Sequence, residues 1–218
     1  MTAHTETATA SRQRDTRWVA PGLALLGTAL AVAVVPVMGY GLQVADGAGA
    51  TERLMEQAGR WQLASMLALF AATALVFAAV RLGRHIGGMA GVVATGAGTA
   101  VAFLLGAYYS AFAAGAVAAS YSLDNPGPGL GEATLVVVNM VELTRYAPSL
   151  LLLAAALVAR RSLPRPVTIA ACVILVMIFV PFTTWVAALL TPIWLGVAGA
   201  VSGPARRGST VGAWASLR

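Results

Sequence analysis

Between Trp18 and Gly203 the chain is a succession of long apolar stretches, and the segments between them are short. A stretch of about 20 apolar residues coiled as a helix matches the roughly 30 Å hydrocarbon thickness of a bilayer. In that solvent a spanning segment must satisfy its own backbone groups. Apolar runs of this length therefore become helices. Composition agrees: 59% of the residues are hydrophobic and 10% are charged, against about 25% charged in an ordinary soluble domain. The mean hydropathy is +0.80. The chain has too little polar surface to cover a water-soluble core, so its main solvent is lipid.

The stretches set the expected organisation. Residues 1–17 are polar and read as a disordered cytoplasmic tail. The first span is Trp18 to Gln43, too long for a signal-peptide core and followed by further spans. Val44 to Arg60 is a polar outer loop, in which Thr51 could cap a short helix lying on the membrane through Leu54, Met55 and Ala58. The second span is Trp61 to Val80. A basic turn, Arg81 to His85, returns the chain into a third span, Ile86 to Ala119, which is longer than one crossing needs. Asn125-Pro126 and Pro128-Gly129 mark a breaker-rich loop before the fourth span, Ala133 to Arg161. Val167 to Gly203 is too long for one crossing. The Pro181-Phe182-Thr183-Thr184-Trp185 segment divides it into Val167 to Val180 and Thr184 to Val201. Pro204 to Arg218 is a flexible basic cytoplasmic tail.

Charge orients these spans. All 14 basic residues are arginine. With the N-terminus inside, the inner segments carry Arg12, Arg14, Arg17, Arg81, Arg84, Arg160, Arg161, Arg165, Arg206, Arg207 and Arg218. The outer segments carry Arg53 and Arg60 with Asp46, Glu52, Glu56, Asp124 and Glu132. This is the positive-inside pattern, and an odd number of spans would break it. The expectation is an all-α polytopic bundle of six transmembrane helices over residues 18–203, with both termini cytoplasmic.

One span is unlike the others. Asn139, Glu142, Arg145, Tyr146 and Ser149 recur in the fourth at spacings that place them on one third of a helix circumference. Glu142 and Arg145, three residues apart, are expected to pair, and Pro148 is expected to free a carbonyl near residue 144. An intramembrane ionisable residue is a candidate ion, proton or small-solute site. The competing reading is an ion pair that fixes helix register. Candidate helpers at the outer ends of other spans are Tyr40, Gln43, Gln62, Ser65, Tyr108, Tyr109, Ser110, Thr183 and Thr184. A second pattern, Gly98, Ala102, Gly106 and Ser110, continued by Ala114, repeats every four residues in the third span and reads as a packing surface for another helix. Gly87 and Gly91 form a shorter pair of the same kind.

Several chemistries are disfavoured. Cys172 is the only cysteine, and His4 and His85 are far apart, so no internal disulfide, zinc or haem site is expected. No phosphate-binding loop or Ser-His-Asp set is present, and the absence of lysine excludes a retinal Schiff base. The arginines lack interleaved aromatics, which disfavours nucleic acid. The expectation is therefore a non-enzymatic protein without a cofactor. Its partner is the lipid bilayer, with another membrane protein as a candidate. Spans one to three and four to six differ in loop length and polar content, which argues against a transporter repeat.

The layout of a polar outer loop after the first span, short basic inner loops and a closing apolar hairpin resembles small six-span integral membrane proteins of actinobacteria, grouped as domain-of-unknown-function families. The likeness covers residues 18–203 and rests on layout. It implies a bacterial plasma membrane and carries no activity with it.

Overall fold

The computed structural model describes residues 3–38, 47–121 and 129–202. Every regular element among them is helical: α1 (Ala3–Met38), α2 (Gly47–Glu56), α3 (Ala58–Ile86), α4 (Gly88–Tyr121), α5 (Gly129–Val158), α6 (Arg165–Phe179) and α7 (Thr184–Val201). Five of them contain a segment long and apolar enough to cross a membrane: α1 over Val19–Val37, α3, α4, α5 and α7. They expose large apolar side chains, as at Leu25, Met66, Phe70, Phe103, Leu151 and Val201. An outward apolar surface on an ordered helical bundle is what a lipid solvent requires, and the chain is a multi-pass membrane protein by this measure. The expected fifth span corresponds to α6, which has 15 residues, is about 22 Å long and is not among these five.

Two boundaries differ from the sequence expectation. Helix α1 opens at Ala3, inside the stretch assigned to a disordered tail; Ala, Thr, Glu, Gln and Arg supply no helix stop there, and no glycine or proline precedes Pro21. The Arg81 to His85 turn is instead the last part of α3. The reversal comes at Gly87 and Gly88, whose φ angles of 71° and 57° suit glycine. The basic C-terminal tail, 204–218, lies outside the described residues. The break in the last apolar stretch falls at residues 180–183, where Pro181 cannot extend α6 and the Thr183 hydroxyl donates to the Met177 carbonyl at 2.9 Å.

Small residues decide which helices meet. Gly98 faces Ala79 on α3 and Leu195 on α7, and Gly106 faces Leu69 and Ala72 on α3. Ala102 is buried between them, and the Ser110 hydroxyl lies 3.0 Å from that of Ser65 on α3. The four-residue stripe of α4 thus lies along α3 as far as Ser110. Ala114 is exposed, and one position later Gly115 meets Thr134 on α5. At the turn, Gly91 lies against the Gly83 backbone. Gly27 brings α1 onto Ala74 and Leu75 of α3, Gly196 brings α7 onto Ala24 and Thr28 of α1, and Gly199 brings α7 onto the Ala78 backbone. Helices α3 and α7 are therefore central, with α1 on one flank and α4, α5 and α6 on the other.

The bundle has two apolar cores. The larger one runs through α1, α3, α4, α5, α6 and α7. The smaller one lies at the N-terminal ends of α3 and α5 and the C-terminal end of α4, under α2: Ala50, Leu54, Trp61, Phe112, Ala116 and Val138. Here α2 differs from the expectation. Thr51 is inside the helix, and its hydroxyl accepts the Gly131 N–H of α5 at 3.0 Å. Leu54 is fully buried. The short helix therefore covers the C-terminal end of α4 and the N-terminal end of α5. Within this core Trp61 stacks on Phe112 with centroids 4.6 Å apart. The Trp61 indole N–H is buried without a hydrogen-bond partner. Trp61→Phe should remove that desolvated donor while keeping the stack, and the gain should offset the cavity left by the smaller ring, so stability should change by less than about 1 kcal/mol in either direction. A loss of more than about 2 kcal/mol in a detergent unfolding titration would contradict this account of the core.

Candidate functional site

Helix α5 carries the intramembrane charges, and its surroundings divide the polar stripe. Arg145 is buried, 3% exposed, and so is Ser149. Glu142 and Tyr146 are half-buried, and Asn139 is exposed. Asn139 and Arg145 are six residues apart and so about 120° apart around the helix. The stripe is wide enough to leave the bundle at its upper edge.

Arg145 does not pair with Glu142 as the i, i+3 spacing suggests: no ion pair within 4.0 Å joins them among the described residues. Its guanidinium instead reaches across the bundle. Nη2 donates to the backbone carbonyl of Ala188 on α7 at 2.6 Å. The guanidinium carbon also lies 5.3 Å from the centre of the Tyr108 ring of α4, within cation–π range. Glu142 accepts a long hydrogen bond, 3.4 Å, from the Tyr146 hydroxyl one turn along its own helix.

The Ala188 carbonyl has a reason to be there. In an α-helix it would accept the N–H of residue 192, and residue 192 is proline. Pro192 is inside α7 and buried, so the ladder leaves Ala188 without its usual donor. An unsatisfied carbonyl in a membrane interior costs several kcal/mol. A buried guanidinium without an acceptor also carries a large penalty. Each group answers the other, and the contact ties α5 to α7 while the Tyr108 ring ties α5 to α4.

The neighbouring polar side chains are similarly engaged. The Ser149 hydroxyl donates to the Arg145 carbonyl at 2.7 Å. Tyr108 packs edge-on against Tyr109 and Phe112, at 5.2 and 5.4 Å between centroids. Tyr108 thereby lies where the two apolar cores meet. Of the other expected helpers, Ser65 bonds to Ser110, and Thr183 and Thr184 donate to carbonyls at the end of α6 and in the α6–α7 connection. Gln62 is exposed, and Tyr40 and Gln43 lie outside the described residues.

Below this layer a second polar level closes the opposite end. Arg81 Nε donates to the Ser202 carbonyl at 2.8 Å, and His85 Nε2 lies 2.7 Å from the Ser162 carbonyl. Ser65 to Arg81 is about 24 Å of α3, and Ala188 to Ser202 is about 21 Å of α7. The Arg145 and Ser65 levels are thus at similar height, inside one hydrocarbon thickness of about 30 Å measured from Arg81. The ends of α3, α4 and α5 that pack under α2 rise above it.

Among the described residues no three His, Cys, Asp or Glu side chains come together as a metal site. Comparison with protein-family models, with curated proteins and with solved structures finds no match. The sequence reading missed the Ala188 carbonyl. A proline at 192 within an apolar helix was the available signal, since it marks an acceptor four residues earlier.

Proposed function

We propose that the chain is a non-enzymatic component of a bacterial plasma membrane that crosses six times with both ends in the cytoplasm. In this reading it acts as a structural or partner protein of the envelope. The support for this role is the engagement of Arg145. The one buried charge among the described residues is spent between Ala188 and Tyr108 inside the bundle, so it serves to hold α4, α5 and α7 in register. Support for the even span count comes from the arginine distribution and from the α6–α7 break, which leaves α6 a separate apolar helix for the fifth crossing. At about 22 Å, α6 would need local thinning of the bilayer or flanking residues that reach outward, both modest costs. A reporter fused after Arg218 is expected to be active in the cytoplasm. Activity confined to the periplasm would overturn the topology.

A second reading keeps one observation. Glu142 is half-buried and beyond ion-pair distance of Arg145, as a carboxylate in an outward-opening transport or channel path would be. Proteoliposomes separate the two. The structural reading expects cation, proton and small-solute fluxes no higher than in empty vesicles, and no change with Glu142→Gln. A flux that Glu142→Gln abolishes would establish the transport reading instead.

A further inference from the structure

We propose that the basic end of the bundle binds the headgroup phosphate of an anionic phospholipid between two turns. One turn is the end of α3, where Arg84 is exposed just before the glycine reversal. The other joins α5 to α6 and presents Arg160, Arg161 and Arg165, all exposed. The His85 contact to the Ser162 carbonyl, 2.7 Å, fastens these turns together. Arg84 precedes His85 and Arg161 precedes Ser162, so cations from both turns flank one contact.

Two features make this end anion-binding. No Asp or Glu lies between Glu56 and Asp124, or anywhere after Glu142, so neither turn has an acid of its own to neutralise it. Helix α6 begins within the cluster at Arg165, so the positive end of its dipole faces the same region, with Pro166 supplying no amide. Arg81, by contrast, is held by Ser202 and is not counted. The surroundings specify a lipid source for the phosphate. Met89, Val158 and Ile169 are 78%, 79% and 63% exposed; Val158 and Ile169 lie within about a turn of Arg160 and Arg165 along the chain, and Met89 follows the glycine reversal after Arg84. A phosphate held at the arginines would leave its acyl chains against these apolar side chains. This inference rests on the chain spanning a membrane and not on which side is cytoplasmic.

The test uses the full chain in neutral detergent, titrated with phosphatidylglycerol, phosphatidylcholine or inorganic phosphate and read by native mass spectrometry. Phosphatidylglycerol is expected to bind well below the concentration that phosphatidylcholine needs. At about fivefold per arginine, Arg160→Gln/Arg161→Gln/Arg165→Gln should weaken it about 100-fold, and lysine at all three positions should restore most of the affinity. Arg53→Gln/Arg60→Gln, at the opposite end, should leave it within about twofold. Circular dichroism checks that the triple variant is folded; if it is not, Arg161→Gln alone should cost about fivefold. Unchanged phosphatidylglycerol binding in the folded variants, equal binding of phosphatidylcholine, or competition by inorganic phosphate at the lipid's own concentration would each overturn the proposal.

Discussion

Arg145→Met is expected to destabilise the bundle by about 1–3 kcal/mol, measured by reversible unfolding in mixed micelles. Methionine fills much of the same volume, so the loss reports the polar contacts more than packing. The variant removes the donor to Ala188 and the cation over Tyr108. It leaves an α7 carbonyl with no donor from Pro192 and none from α5. Part of the loss is offset, because a buried guanidinium itself carries a desolvation penalty. The effect should be confined to stability and helix packing. Cysteine pairs across α5 and α7 near Arg145 and Ala188 should cross-link less efficiently in the variant, and pairs across α3 and α4 near Gly98 and Ala79 should cross-link as before.

Gly199→Val should be at least as damaging, costing about 2–4 kcal/mol or preventing insertion of a folded bundle. A Cβ at residue 199 would lie 2.7–2.8 Å from the Cα, Cβ and carbonyl oxygen of Ala78. Two of those atoms are backbone and cannot swing aside, so α7 must separate from α3. In lipid there is no hydrophobic drive to restore the contact, since the close approach is itself the source of association. Gly96→Val is the matched control, because nothing lies within 4 Å of a Cβ at that position. Its effect should stay below about 1 kcal/mol, at the size of helix propensity alone. Equal losses at the two sites would mean that close approach of α3 and α7 is not what holds them.

Much of the fold was legible in the sequence because length and apolarity are nearly sufficient to specify membrane helices. The α6–α7 division at Pro181 and the stripe of Gly98, Ala102, Gly106 and Ser110 follow from residue types whose effects are local: a missing N–H and a missing side chain. Boundaries that depend on continuity were less legible. Arg81, Arg84 and His85 look like a loop because they are polar, yet nothing in them stops a helix, and α3 runs on to Gly87. The same is true of residues 3–17. For the candidate site, spacing along one helix identified Glu142 and Arg145 as a pair, but spacing knows only the helix's own neighbours. The stronger acceptor came from α7, 43 residues away, and from a backbone group that bears no side-chain signature. Arg145 reaches it because its long side chain can leave its own helix face. The shorter Glu142 carboxylate stays with Tyr146.

The central claim is that Arg145 is held in the membrane by the carbonyl that Pro192 leaves open. A double-mutant cycle tests it directly. Pro192→Ala returns an N–H to α7, so the Ala188 carbonyl regains a donor whether or not Arg145 is present. Arg145→Met should therefore cost clearly less in the Pro192→Ala background than in the wild-type chain, with a coupling energy of about 1 kcal/mol. Additivity within about 0.3 kcal/mol would contradict the claim, because it would mean that the open carbonyl is not what Arg145 serves.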